Sequence, residues 1–254
     1  MNFFQNKTFF KVNDFYIFLP NQLKIVPLQL KLPIKFEDIL FVDKQKEKIL
    51  KNTINFSKNI FSHNTLLWGA RGMGKSSIIK SVVKKINKNN EKVKLIEIFS
   101  GCYKFLPELI YSLSSINHNF ILFIDDISFE NNESDFRLFK TLIDGSLISN
   151  TENVRFYVTS NLRHLSEKRI LSDEMDELTK KEINSNIFAL SDRFGCWVGF
   201  YENNKNNYIE TIKLYAQKKS IKINEELIDR AIKWSVEKGN FSGRTAYQFI
   251  NSIL

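Results

Sequence analysis

Residues 69–76 read GARGMGKS and match the phosphate-loop pattern G-x-x-x-x-G-K-[ST]. An apolar run precedes them, and a helical pattern starts at Lys75, which is the strand–loop–helix context that the pattern requires. The glycines let the backbone wrap so that its N–H groups point at phosphate oxygens, and the helix adds the positive end of its dipole. Lys75 is expected to meet the β- and γ-phosphates, and Ser76 to bind Mg²⁺ through its hydroxyl. The alternative is a flexible turn before a helix. The predicted nucleotide-binding residues are Gly69, Ala70, Arg71, Gly72, Met73, Gly74, Lys75, Ser76 and Ser77.

Two carboxylates follow a buried strand farther along the chain. Residues 121–124 are apolar, and Asp125 and Asp126 come directly after them. Open α/β sheets bind ligands at the carboxyl ends of their strands. Asp125 is therefore predicted to hold Mg²⁺ with Ser76, and Asp126 to orient or deprotonate the attacking water. A strand-ending turn with solvated acids is the alternative, and the pattern leaves open whether Asp126 or Glu130 faces the water.

Apolar runs alternate with helical patterns through the middle of the chain, which favours a parallel sheet with helices on both faces. Five strands are predicted, at residues 65–68, 93–98, 120–124, 154–159 and 196–200. Helices are predicted at residues 36–58, 75–88, 106–113 and 136–143, and a helix or excursion at residues 165–190. Beyond residue 203 only helical patterns follow, at residues 208–218, 225–237 and 242–253. The sequence thus predicts an α/β domain at residues 36–202 and a small all-helical domain at residues 203–254.

The first 35 residues are rich in aromatic side chains but show no clear helical or strand period. We treat residues 1–35 as a separate N-terminal segment. It is expected either to pack on the core or to serve as a docking arm for a partner or a neighbouring subunit, because exposed apolar patches of that size are unusual on monomers.

Composition narrows the class of protein. The chain has 254 residues, 43% of them hydrophobic, which excludes disorder as its main state. No window holds the ~18 apolar residues of a membrane span, and the N-terminus lacks a signal-peptide core, so a cytoplasmic location without membrane contact is expected. The cysteines and histidines show no metal-ligand spacing. A net charge of +9 supports weak non-specific attraction to anions rather than a defined nucleic-acid site.

Polar residues also mark the later strands. Asn161 follows the strand predicted at residues 154–159. If that strand lies beside the Asp125 strand, Asn161 or Thr159 could reach the γ-phosphate or the water, and a surface turn is the alternative. Arg193 stands just before the last predicted strand, where pattern alone favours a surface ion pair.

Taken together, these motifs resemble the AAA+ ATPases. The resemblance rests on the phosphate loop, the Asp-Asp strand end, the polar strand end at Asn161, the Arg-Phe before the fifth strand and the helical lid. More narrowly, the sequence resembles an uncharacterised bacterial family known as domain of unknown function eight hundred and fifteen. The stretches that carry this resemblance are residues 67–72, 125–130, 159–165, 190–195 and 242–244. It spans residues 39–254 and leaves residues 1–35 outside.

The AAA+ resemblance implies roles for single residues. Asn161 matches the polar sensor-one residue, and Arg193 matches the arginine finger that reaches the γ-phosphate of a neighbouring subunit. Arg244, at the start of the last lid helix, matches sensor two. The backbone at Val42 resembles the stretch that brackets adenine. Together with Asp126, assigned above, the predicted catalytic residues are therefore Asn161, Arg193 and Arg244.

Two positions depart from the AAA+ pattern. Asp126 stands where most members have Glu, and its side chain is one methylene shorter. Phe41 stands where many relatives have Gly. The shorter side chain of Asp126 argues against fast hydrolysis. Phe41 weakens the assignment of the Val42 backbone to adenine.

The leading hypothesis is an AAA+ ATPase that binds ATP–Mg²⁺ and hydrolyses ATP as a homo-oligomer, with a finger supplied in trans. Its target would be an unknown protein or nucleic acid that it remodels or loads. The second hypothesis is a nucleotide-gated binding protein with slow or no hydrolysis, which the shorter Asp126 favours.

A small-molecule kinase needs an acceptor pocket, for which the sequence offers no converging residues. A DNA loader needs a basic face or a helix-turn-helix, and neither pattern is found.

Overall fold

The computed structural model describes residues 3, 9–88, 93–99, 101–127, 133–143, 151–161 and 193–254. Within these ranges the chain forms seven strands and seven α-helices. The strands are β1 (Phe15–Leu19), β2 (Lys24–Leu28), β3 (Thr65–Gly69), β4 (Val93–Glu97), β5 (Asn119–Ile124), β6 (Val154–Ser160) and β7 (Cys196–Phe200). The helices are α1 (Asp43–Ser57), α2 (Lys75–Asn87), α3 (Leu106–Ser114), α4 (Glu133–Ile143), α5 (Lys205–Lys218), α6 (Glu225–Glu237) and α7 (Gly243–Ser252). None of these described helices is long and apolar enough to cross a membrane.

All seven strands belong to one sheet, in the order β2-β1-β4-β5-β6-β3-β7. Every neighbouring pair is parallel except β1 and β2, which are antiparallel. Helices α1 and α2 cover one face, and α3 and α4 cover the other. The predicted α/β class with a helical C-terminal part is confirmed. The predicted sheet of five parallel strands is corrected to seven strands, six parallel and one antiparallel, because β1 and β2 extend the sheet beyond β4.

These two additional strands come from the N-terminal segment, in which the sequence shows no period. Tyr16 and Phe18 of β1 are buried in the core beneath α3 and α4, whereas Phe15 is buried in the core beneath α1 and α2. A strand that is buried on both faces carries apolar residues at odd and even positions, so the alternation that marks a half-exposed strand is missing. Of the two expectations for this segment, packing on the core is the one that its described residues show.

Strand β2 lies at one edge of the sheet, where unpaired N–H groups can recruit another strand. The Ile25 N–H points outward and donates to the carbonyl of Phe3 across 2.8 Å. The other outward position, two residues later, is Pro27, which has no N–H. Neither outward position of β2 therefore offers a free N–H to another strand.

The helical domain is a bundle of α5, α6 and α7 around its own core, which includes Tyr208, Ile212 and Phe249. Each helix starts with a side-chain cap that accepts a hydrogen bond from the N–H three residues on. The caps are Asn204, Asn224 and Ser242. We refer to residues 203–254 as the lid. Its boundary at residue 203, and the boundary at residue 36, stay predictions.

The burial of the N-terminal segment gives a stability prediction. Phe10 is fully buried, and its ring lies 4.9 Å from that of Tyr16 and 4.8 Å from that of Phe120, centroid to centroid. We expect Phe10→Ala to lower the free energy of unfolding by about 3–5 kcal/mol, because it removes a buried ring and leaves a cavity. Urea unfolding followed by fluorescence measures this change.

The matched control is Val12→Ala. Val12 belongs to the same segment but is 85% exposed, so its truncation should change the free energy of unfolding by less than about 0.5 kcal/mol. If Phe10→Ala unfolded at the same urea concentration as the control, the segment would not be part of the core.

Candidate nucleotide-binding site

The phosphate loop crosses the carboxyl edge of the sheet between β3 and α2. At its start, the Ala70 N–H donates to the carbonyl of Phe200 at the end of β7 across 2.8 Å. Gly69 has a φ of +113°, and a Cβ there would lie 2.1 Å from the Phe200 oxygen. Only glycine fits where the two backbones approach so closely.

Lys75 lies inside this loop and is only 6% exposed. Its ammonium donates to the carbonyl oxygens of Gly69 and Ala70, at 2.7 and 2.8 Å, and to the side-chain oxygen of Asn161 at 2.9 Å. An ammonium has three N–H donors. All three find an acceptor here, so the lysine holds the two loop carbonyls and the end of β6 together.

Burial lowers the pKa of Lys75 from 10.5 to about 8, because removal from water disfavours the charged form. The carboxylates of Asp126 and Asp125 oppose this change, and the positive charges of Arg244 and Arg71 add to it. The lysine therefore remains mostly protonated near pH 7. Bound phosphates would stabilise the ammonium form and raise its pKa.

Ser76 and Asp125 meet at the first turn of α2, as predicted for a magnesium pair. The Ser76 hydroxyl donates to Asp125 Oδ1 across 2.6 Å, and the Thr159 hydroxyl donates to the same oxygen across 2.5 Å. Hydroxyl and carboxylate oxygens are hard ligands, and Mg²⁺ typically takes one or two protein oxygens together with water and phosphate. The donor set therefore fits the metal, and the ligand assignment stays a prediction.

Asp126 follows Asp125 with a φ of +55°, in the left-handed region. Its N–H donates to the Thr159 hydroxyl across 2.8 Å, so one threonine fixes both acids. The side-chain amide of Asn161 donates to Asp126 Oδ1 across 2.5 Å. Asn161 thus bridges Lys75 and Asp126. It can do so because β6 lies beside β5, which is the condition that the sequence analysis set for its reach.

The lid contacts the phosphate loop through its last helix. The Arg244 N–H donates to the carbonyl of Gly72 across 3.1 Å. Gly72 has a φ of +74°, and a Cβ there would lie 2.5 Å from Ser242 Oγ and 3.2 Å from Arg244 Cβ. The start of α7 therefore occupies the space that any side chain at position 72 would need.

A cleft of about 400 Å³ opens between the loop, the strand ends and the lid. Its apolar wall includes Ile39, Leu40, Tyr215 and Tyr247. The rest of its lining consists mainly of predicted residues, namely Arg71, Gly72, Met73, Gly74, Lys75, Ser76, Ser77, Asp125, Asp126, Asn161 and Arg244. Gly69 and Ala70 contribute through the carbonyls that hold Lys75. The volume suits a nucleotide-sized ligand.

Val42 does not line this cleft. Its side chain is buried in the core beneath α1 and α2, and the wall is formed instead by Ile39 and Leu40. The side chains of Ile39 and Leu40, rather than that of Val42, therefore lie where a base could pack. Phe41 lies between Leu40 and Val42 in the chain. It has a φ of +61°, a conformation that glycine adopts without strain.

Arg193 lies away from the cleft of its own chain. It precedes β7, and the parallel register pairs Cys196 at the start of β7 with Thr65 at the start of β3. The phosphate loop follows the opposite end of β3, about 16 Å along the strand at ~3.3 Å per residue. Arg193 therefore does not line the cleft of its own chain, and its role as an arginine finger stays a prediction.

Sequence reasoning named Thr159 only as an alternative to Asn161, and it did not identify Ser242, Ile39, Leu40 or the two lid tyrosines. Thr159 had one usable signal, a hydroxyl in an otherwise apolar strand beside the Asp-Asp pair. The others come from distant parts of the chain, and nothing local marks them. Glu130, the alternative to Asp126, and the predicted excursion at residues 165–190 lie outside the described residues.

The family model described as "Protein of unknown function (DUF815)" matches residues 13–254. The chain belongs to the DUF815 family. The resemblance inferred from the motifs is confirmed, and its extent is corrected, since the DUF815 match begins at residue 13 rather than 39 and includes β1 and β2. No curated protein matched the chain.

Solved structures show which fold this DUF815 chain has. A variant of Thermotoga maritima RuvB is 16% identical, with a TM-score of 0.55, over 87% of this chain and 64% of RuvB. Aeropyrum pernix ORC1 in complex with DNA is 12% identical, with a TM-score of 0.59, over 84% of this chain and 61% of ORC1. Aeropyrum pernix ORC2, in ADPNP and ADP complexes, is 11% identical, with a TM-score of 0.55, over 89% and 71%. The DUF815 chain therefore spans less than two thirds of RuvB and ORC1, and it has the AAA+ P-loop fold that it shares with them.

The contact between Gly72 and the lid gives a mutational prediction. Gly72→Ala should strain the loop by about 1–2 kcal/mol, because φ is positive, and should also push α7 away from the loop. We expect faster amide hydrogen exchange in α7, measured by mass spectrometry.

Gly239→Ala is the matched control. Gly239 has a similar φ of +68°, but a Cβ there would meet nothing within 4 Å. It carries the same backbone strain without the overlap. Equal exchange rates in α7 for the two variants would show that the lid does not depend on the space at Gly72.

The lowered pKa of Lys75 gives a pH prediction. Below about pH 8 the ammonium is charged and can attract phosphate, and above about pH 8 it loses its proton. We therefore expect nucleotide affinity to fall as pH rises from 7 to 9, by up to about tenfold per unit above the pKa. Calorimetric titrations in buffers of different ionisation enthalpy should also show proton uptake on binding near pH 8. A flat affinity profile between pH 7 and 9 would contradict the role of this ammonium.

Proposed function

We propose that this DUF815 chain is an AAA+ ATPase that binds ATP–Mg²⁺ and hydrolyses ATP. The observation that carries the proposal is the convergence of Lys75, Ser76, Asp125, Asp126 and Arg244 on one cleft between the sheet and the lid. A structural turn before a helix would need neither the buried ammonium nor the pair of strand-end acids. Fold likeness by itself does not identify a function.

The residues of the cleft divide the work of phosphoryl transfer. The loop N–H groups and Lys75 hold the phosphates, and Arg244 adds positive charge from the lid. Ser76 and Asp125 would hold Mg²⁺, which neutralises charge on the phosphate oxygens when bound. Asp126 would accept a proton from the attacking water at its free carboxylate oxygen. Asn161 positions Asp126, since its amide already holds the other oxygen.

We further propose that the chain works as a homo-oligomer on a macromolecular target. Arg193 lies at the far end of β7 from the phosphate loop, which supports a role at a neighbouring subunit's γ-phosphate. RuvB is described as a Holliday junction branch migration motor, and ORC1 is seen in complex with DNA. A nucleic acid is therefore one candidate target, and a protein that the oligomer remodels is the other.

A second candidate function is a nucleotide-gated switch with little or no turnover. Two observations favour it. Asp126 is one methylene shorter than the usual Glu, and Asn161 holds one of its oxygens at 2.5 Å. ATP would then change the lid and a partner surface without being consumed.

Binding and turnover can be measured on the same purified chain. We expect Lys75→Ala to weaken ATP binding at least about 100-fold, because it removes the buried charge that meets the phosphates. We expect Asp126→Asn to retain binding and to lose phosphate release. Lys88→Ala, which removes an exposed lysine at the end of α2, is the control for net charge and should behave as the natural chain.

The outcomes separate the two candidates. Turnover that Asp126→Asn abolishes supports the ATPase. Tight ATP binding with no phosphate release, at any protein concentration, supports the switch. If Lys75→Ala bound ATP as tightly as the natural chain, neither candidate would stand.

A further inference from the structure

Arg71 lies in the phosphate loop, four residues before Lys75, and its side chain is exposed. It lines the 400 Å³ cleft and also a second cavity of about 330 Å³, which is lined in part by residues at the start of α7. Among the described residues, the guanidinium has neither a hydrogen-bond acceptor nor an acidic partner. The shape of the loop alone does not explain why an unpaired cation lies at its rim.

The charges around Arg71 favour an anion. Arg71, Arg244 and Lys75 are close enough for the two arginines to lower the pKa of the lysine, so the three cations repel one another. The two acids of the cleft are already engaged, since Asp125 accepts from Ser76 and Asp126 accepts from Asn161. The charged residues of the cleft are three cations and two carboxylates, so positive charge exceeds negative charge by one at the loop. A polyphosphate would relieve the repulsion among the cations.

The backbone fixes where Arg71 can act. The next residue, Gly72, is held against the lid by the Arg244 N–H at 3.1 Å. Arg71 therefore stays on the outer rim of the loop, beside the lid, while Lys75 lies beneath it. The planar guanidinium can give two parallel hydrogen bonds to a phosphate, which an ammonium cannot.

We propose that Arg71 binds the terminal phosphate of ATP in cis and thereby distinguishes the triphosphate from the diphosphate. This role rests on the proposed function, because it needs a nucleotide in the cleft. It differs from the role of Arg193, which would act from a neighbouring subunit. It also differs from the role of Arg244, because Arg71 acts from the loop itself and Arg244 from the lid.

The test compares two ligands on the full chain with Mg²⁺ present, namely ADP and a non-hydrolysable ATP analogue. Calorimetry gives both dissociation constants for the natural chain and for Arg71→Ala, Arg71→Lys and Arg230→Ala. We expect Arg71→Ala to weaken the analogue about 10- to 100-fold, the range of charge-assisted hydrogen bonds, and ADP less than about threefold. Arg71→Lys should weaken binding of the analogue by an intermediate factor, because it keeps the charge but loses the two parallel hydrogen bonds of the guanidinium.

Arg230→Ala is the matched control, since it removes an exposed arginine from α6 outside the cleft. It should change neither constant. Urea unfolding checks that Arg71→Ala folds normally, as expected for an exposed side chain.

The possible failures can be told apart. If the natural chain binds neither ligand, the proposed function fails and the role of Arg71 fails with it. If the natural chain binds both ligands and Arg71→Ala leaves their ratio unchanged, only the role of Arg71 fails. An equal loss for both ligands would likewise overturn it, because it would show that Arg71 shapes the loop or serves the second cavity rather than the terminal phosphate.

Discussion

A buried ammonium group determines how the site is built. Lys75 is almost completely removed from water, which would destabilise the fold if any of its three donors lacked a partner. Two carbonyls of the phosphate loop and one side-chain oxygen from β6 supply those partners. The loop has to curl to turn its carbonyls inward, and β6 has to lie beside β3 for Asn161 to reach. The strand order and the positive φ angles of the loop glycines thus serve one requirement, the solvation of a charge by the protein itself.

The lid is tied to this loop through backbone atoms. The first N–H groups of a helix have no partner within the helix. In α7 one of them, at Arg244, is satisfied by the Gly72 carbonyl, and separating the two would cost about 1 kcal/mol or more. A change in loop shape at Gly72 therefore reaches the lid directly, before any side chain of the lid contacts a phosphate. The Arg244 side chain can add a second, charge-dependent link to the same helix.

The sequence predicted the parts of this fold that are locally encoded. Strands β3 to β7 were found because short apolar runs alternate with helical patterns, and the site was found because GARGMGKS and Asp125-Asp126 combine residue types that phosphate and Mg²⁺ require. Strand β1 was missed because both of its faces are buried, which erases the period of two. Strand β2 was missed because it contains Pro27, which is unusual within a strand. The overlap of Ser242 with the space at Gly72 could not be predicted, since it joins positions that are far apart in the chain. The prediction for Val42 concerned its backbone and stays a prediction. A motif gives the neighbourhood of the adenine wall, but packing decides which side chains face the cleft.

Asn161 connects the filling of the cleft to the position of Asp126. It uses its oxygen for Lys75 and its amide for Asp126, so each contact restrains the other. A phosphate is a stronger acceptor for an ammonium than an amide oxygen is, because the phosphate oxygen carries a negative charge and adds Coulomb attraction to the hydrogen bond. A bound triphosphate would therefore compete for Lys75 and leave Asn161 held only by the carboxylate. Both candidate functions use this coupling. They differ only in whether the shorter acid, once its partner is free to move, reaches the water or stays with the amide.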